Sequence, residues 1–286
     1  DREWLTPRSS LMYNYSTTFA ENYSFRATIR PINSLRIQLN ASRNYSTNLT
    51  QQFFQVDPLT FVDTLGGDLR RDYYFVNPIE TGNFSMSFLA FNTAFVGDDD
   101  LSKSSSIFES FLEERQKVSA RLAQENGNSF GTFGGYADGY GGTSQDVLIP
   151  TFIAAYSGKD GNGVSLDDFT KYIPLPNWRV TFDGLSKMKF VNRLFKKFTL
   201  THSYKSTLNV NSFTTNLFYE ENQQGATARD INGNFIPELQ VSTVSISEQF
   251  SPLLGADMTM HNNMIVRIEY KNCLLYTSPS PRDRSL

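Results

Sequence analysis

Two histidines, one cysteine, several acidic runs and one glycine-rich run are the residues of this chain that could do chemistry. His202 and His261 lack companions at the spacing of a zinc site or a catalytic triad. Cys273 has no neighbouring base that would make it a nucleophile. Asp98, Asp99 and Asp100 together make a solvated turn rather than an acid/base pair. The stretch GKDGNGVSLDDF (158–169) resembles a calcium loop only in its glycine. With Gly163 as the turn glycine, the first position is Gly158 and the twelfth is Phe169, so two essential oxygen ligands are missing. GTFGGYADGYGG, inside the glycine-rich stretch 127–146, lacks the GK[ST] of a phosphate cradle, so a mobile or lumen-filling loop is expected there. The sequence therefore predicts no enzyme, no catalytic residue, no metal and no cofactor.

What is left is surface chemistry. Lys187, Lys189, Arg193, Lys196 and Lys197 alternate with Leu185, Met188, Phe190, Leu194 and Phe195. Basic and apolar residues mixed in this way suit an interfacial turn on anionic lipid head groups, or else a basic hairpin loop at a rim. Trp178, Tyr204 and Tyr270 are candidates for an aromatic girdle where membrane meets water; ordinary sheet packing explains them equally well. Asn-x-Ser/Thr triplets at Asn14, Asn22, Asn40, Asn44, Asn48 and Asn83 match glycan acceptors, but a face rich in Asn, Ser and Thr generates them unaided.

The elements that must carry these residues are strands. The chain has 286 residues, 39% of them hydrophobic, yet it holds 24 Phe and 14 Tyr. Aromatics spaced by Ser, Thr and Asn suit sheets that are oily on one side and wet on the other. A formal charge of −3 gives no basic excess for nucleic acid, and one cysteine allows no internal disulfide. Leu35, Ile37, Leu39 and Ala41 alternate with Arg36, Gln38, Asn40 and Ser42. Leu200, Tyr204, Leu208 and Val210 alternate with a Thr/Ser/Lys/Asn parity, and Met264, Val266, Ile268 and Tyr270 with Arg267, Glu269 and Lys271. Residues 11–30 read as a hairpin, 83–95 as a strand, and further strands are expected near 211–219, 238–249 and 256–260. The helical period of Ile107, Phe108, Phe111, Leu112, Val118 and Leu122 predicts an amphipathic helix over 105–125, and 147–158 is apolar and helical. The total is nine or ten long strands with a helical and Gly-rich insertion at about 97–176. Strands of ten or more residues fit a tilted transmembrane barrel; a soluble β-sandwich would also alternate.

Five stretches, LRIQLNASRNYSTNLTQQF (35–53), SQDVLIPTFIAAYSGKD (144–160), PLPNWRVTFDGLSKM (174–188), FTLTHSYKSTLNVNSF (198–213) and ISEQFSPLLGADMTMHNN (246–263), together resemble the C-terminal part of the SprA/Sov family. That family is the outer-membrane translocon of the type IX secretion system, also linked to gliding motility. The resemblance runs colinearly over most of residues 1–272. It implies an antiparallel segment of a very large β-barrel in the bacterial outer membrane, open when isolated. It also implies a pore that exports folded cargo, and three partners: a PorV-type outer-membrane barrel, a periplasmic plug protein, and cargo carrying C-terminal sorting domains. The rival expectations are a soluble extracellular adhesin with a second sheet over its apolar face, and a plugged nutrient receptor with a further plug domain. CLLYTSPSPRDRSL (273–286) breaks the parity and resembles translated adapter sequence, so a non-native tail is expected there and the chain is read as a fragment.

Overall fold

The computed structural model describes residues 13–55, 73–90, 106–158 and 173–278. Long strands dominate: β1 (Tyr13–Ile32), β2 (Leu35–Gln55) and β3 (Tyr73–Ser87) come first. Helix α1 (Ser106–Glu125), a small hairpin of β4 (Thr132–Phe133) and β5 (Tyr136–Ala137), and helix α2 (Gln145–Ser157) follow. Then come β6 (Asn177–Phe182), a 3₁₀ turn (Gly184–Lys187), a short helix α3 (Lys189–Leu194) and β7 (Phe195–Thr215). The chain continues through the two-residue strands β8 (Glu221–Asn222) and β9 (Gly225–Ala226), then β10 (Leu239–Val241), β11 (Val244–Met260) and β12 (Ile265–Thr277). Eight of these strands form one antiparallel sheet, along the path β1-β2-β3-β7-β11-β12 with β6 and β10 beside it. The sheet does not close into a barrel.

Several elements differ from the sequence expectation. Residues 13–32 are one strand rather than a hairpin, because β1 pairs with β2 without interruption from Tyr13↔Phe53 to Ile29↔Ile37. The strands expected near 198–210 and 211–219 are the single strand β7, and those near 238–249 and 256–260 are mostly the single strand β11. β12 also enters the stretch read as a non-native tail: Cys273 pairs with Gln249, and Thr277 with Ser245. Backbone pairing there does not require strict alternation, and Leu275 stands 67% exposed where the pattern fails. β1, β2 and β7 have 20, 21 and 21 residues, about 70 Å each at strand rise.

β3 and β6 share one lane. β2 pairs with β6 over Leu35–Asn40 and with β3 over Arg43–Gln55, and β7 flanks both. Both run antiparallel to β2, so they point the same way along that lane. The excursion between them therefore leaves the sheet in mid-lane after Ser87 and returns at Asn177, starting earlier than the predicted position 97. Phe88 N–H still donates to Ser206 O at 3.1 Å as the chain departs. α2 then lies on the sheet. Its residues Val147–Ala154 are all buried, and Leu148, Ile149, Phe152 and Ile153 form one core with Phe84, Met86, Leu208, Val210, Val244 and Ile246. Each such fully buried side chain contributes about 1.5–3 kcal/mol. Gly158 ends α2 as a left-handed cap, its N–H donating to Ala154 O. The rest of the calcium-like stretch, and Asp98–Asp100, lie outside the described residues.

Candidate functional site

Strand alternation becomes two whole faces once the registers are known, since residues directly paired across strands project to the same side. In one row Ile29, Ile37, Val180 and His202 align, and in the next Ala27, Leu39, Trp178, Tyr204 and Phe250. Phe182, Leu200, Ala256 and Ile268 form a third. Of these rows only His202 is strongly polar, and its Nδ1 lies 2.7 Å from Leu253 O. The opposite face carries Thr28, Gln38, Arg179 and Ser203 in one row and Arg26, Asn40 and Asn177 in another. Arg26 Nε donates to Asn40 Oδ1, and Asp257 pairs with Arg267 on the same side.

The apolar face is treated differently along its length. Toward the end where β3 begins, α2 covers its centre, with Phe111 of α1 joining the same core. Toward the other end, among the described residues, it is bare: Phe25, Ile29, Leu254, Ile268 and Tyr270 are all exposed. Two polar pairs, one half-buried and one buried, mark the change. Arg43 Nη2 donates to Glu21 Oε2 at 2.7 Å on the apolar face, with the guanidinium over the Tyr23 ring at 4.7 Å. Tyr204 Oη donates to Glu248 Oε1 at 2.7 Å and accepts from Ala90 N–H at 3.0 Å. From Leu35 at the turn to Arg43 at the ion pair is nine residues of β2, close to the roughly 9–11 that a tilted strand uses to cross a bilayer.

The sequence candidates distribute over this frame as follows. Tyr204 is 1% exposed, stacked on Trp178 at 4.5 Å and packed on Phe250, with Leu89 and Ala90 closing over it. Trp178 is half-buried in the bare region against Tyr204. Tyr270 stands exposed there on β12. Lys187, Lys189, Arg193, Lys196 and Lys197 are all exposed at the bare end, where the short β1–β2 and β11–β12 turns also lie. Leu208, on the oily parity, is under α2 rather than at an open surface. Glu21–Arg43 and Glu248 are the polar residues of the apolar face that alternation misses. Their signal is a charge on the apolar parity of Ile37, Leu39 and Ala41, or of Val244 and Ile246.

The glycine-rich stretch is a built lobe rather than a loose loop. Gly127 N–H donates to Gln224 O, Phe235 N–H to Gly139 O, and Gly141 N–H to Asn234 Oδ1. Gly139 has φ +80°, and a Cβ there would lie 2.2 Å from the Phe235 ring. Arg229 grips Asp138 with two bonds at 2.7 and 2.8 Å, and that hydrogen-bonded guanidinium holds the Asp138 carboxyl below the usual carboxylate range. Among the described residues no group of His, Cys, Asp and Glu could hold a metal, and no helix is long and apolar enough to cross a membrane. In comparison with known proteins, no family model and no curated protein matches this chain.

Proposed function

We propose that this chain is part of the wall of an outer-membrane pore that conducts folded proteins to the cell surface, the pore of the type IX secretion system. The observation that carries the proposal is the bare apolar band. Its strands put apolar side chains on one side and hydroxyl, amide and charged side chains on the other, over the length of chain needed to cross a bilayer. A bilayer is the solvent in which such a face is stable without a covering layer. The resemblance of residues 35–53, 144–160, 174–188, 198–213 and 246–263 to the SprA/Sov family supports the more specific assignment to protein export.

In this role the apolar band meets lipid, and the polar face lines water. Thr28, Gln38, Asn40, Ser203, Thr207 and Asn209 offer passing protein short neutral hydrogen-bonding groups that water satisfies equally well, so a cargo surface gains little by adhering. Passage needs no covalent step; it needs width, a wet lining and a wall that does not leak lipid. The PorV-type barrel, the plug and the cargo sorting domains are the partners proposed with it. A soluble adhesin would need a second sheet over the bare band, and the described residues cover only the other half, with helices.

The test is an immunoblot of outer-membrane fractions of the source bacterium with antibody raised against residues 178–219. A single very large outer-membrane species is expected. A soluble or secreted species near 32.5 kDa overturns the proposal.

A further inference from the structure

The rim below the bare band is dense in positive charge. Between Phe182 and Lys197 there is one carboxylate, Asp183, against Lys187, Lys189, Arg193, Lys196 and Lys197, in a chain of formal charge −3. Met188, Phe190 and Leu194 stand among these cations, more than half exposed. An exposed phenylalanine inside a cationic turn is unfavourable in water and suits the boundary between head groups and acyl chains.

This rim is also held in place. Asp183 N–H donates to Ser34 O, and Lys187 Nζ to Ser34 Oγ at 2.7 Å, tying the 3₁₀ turn to the β1–β2 turn. Ser186 Oγ donates to Phe198 O and accepts from Phe198 N–H, fastening the turn to β7. His261 Nε2 lies 2.8 Å from Asn192 O, joining α3 to the β11–β12 turn. The cations are therefore fixed at the foot of the apolar band, level with two other strand turns.

We infer that residues 184–197 form a docking surface for anionic phospholipid head groups, which sets the depth of the wall in the bilayer. The inference rests on the apolar band facing lipid. Lysines and arginines take the phosphate charge, while Met188, Phe190 and Leu194 enter the acyl boundary. Each basic residue near an anionic surface is worth about fivefold in partitioning, and salt erodes the gain.

The test is flotation of the full chain with phosphatidylcholine vesicles, with and without phosphatidylglycerol, at low and high salt. Wild type is expected to bind both, on the order of a thousandfold more tightly with phosphatidylglycerol, and to lose most of that gain at high salt. A variant with Lys187→Gln, Lys189→Gln, Arg193→Gln, Lys196→Gln and Lys197→Gln should keep the neutral binding and lose the gain. Arg26→Gln with Arg179→Gln, on the polar face, should leave the gain intact. Equal wild-type binding to the two vesicles, or a gain that survives in the five-residue variant, overturns the docking surface alone. Failure of wild type to bind neutral vesicles overturns the lipid-facing band instead.

Discussion

One sheet treats its apolar face in two ways. Around Phe84, Leu208, Val244 and Ile246 that face is sealed by α2 and is as dry as a soluble core. Further along the same sheet, past Arg43–Glu21 and Tyr204–Glu248, the same face carries Leu254 on β11 in the open, with Ile29 on the edge strand β1 and Ile268 and Tyr270 on the edge strand β12. Alternation alone does not decide what an apolar face meets. The covering is decided by where the chain leaves the sheet, and here it leaves in mid-lane between β3 and β6. α1 carries Glu109, Glu113, Glu114, Arg115, Lys117 and Arg121, which would be costly in hydrocarbon. In the proposed pore wall the covered half would lie outside the bilayer and the bare half within it, and strands of about 70 Å are long enough for both.

The largest effect separating the halves is expected from Ile246→Arg. Ile246 has no exposed surface, so the substitution places an unpaired charge in a sealed core. A loss of more than about 4 kcal/mol is expected, in buffer and in vesicles alike, by denaturant unfolding. Ile268→Arg should behave differently. Ile268 is 60% exposed, so in buffer the change should stay within about 0.5 kcal/mol. In vesicles it should cost about 2–4 kcal/mol, as a cation on a lipid-facing strand does. A similar cost in both solvents would erase the distinction between the halves.

A smaller effect tests the lobe built on the covered half. Because the folded carboxyl of Asp138 titrates below its ordinary value, the Arg229 pair contributes fully above the unfolded pKa, and its contribution is lost as pH falls through the folded value. Hydrogen exchange at the Phe235 amide, which bonds to Gly139 O, should then show an advantage of wild type over Asp138→Asn that shrinks with acid. An advantage independent of pH would mean that the pair does not hold the lobe.

Much of the sheet was legible in the sequence, because period-two patterning in 35–42, 200–210 and 264–271 reports the face of each residue whatever its partner. Both longer helices were legible too, from their apolar content and period. The hairpin error at 11–30 has a physical source: Glu21 sits on the apolar parity and reads as a break, whereas the fold satisfies it with Arg43. The shared lane of β3 and β6 was not legible, because it is written only in pairings with β2 and β7. The burial of Tyr204 depends on Ala90, 114 positions away. The glycine-rich lobe likewise takes its partners from 222–235. The basic rim was visible as composition, but its position at the foot of the apolar band required the register.

The most direct test of the central claim uses neighbouring residues of β2 that face opposite ways. The chain has two tryptophans, Trp4 and Trp178. With both replaced by Phe, Ile37→Trp and Gln38→Trp each supply a single reporter, to be examined in vesicles whose lipids carry bromine on the acyl chains. Strong quenching at position 37 and little at 38 is the predicted result. Equal quenching at the two positions, or stronger quenching at 38, would contradict a wall with its apolar face to lipid.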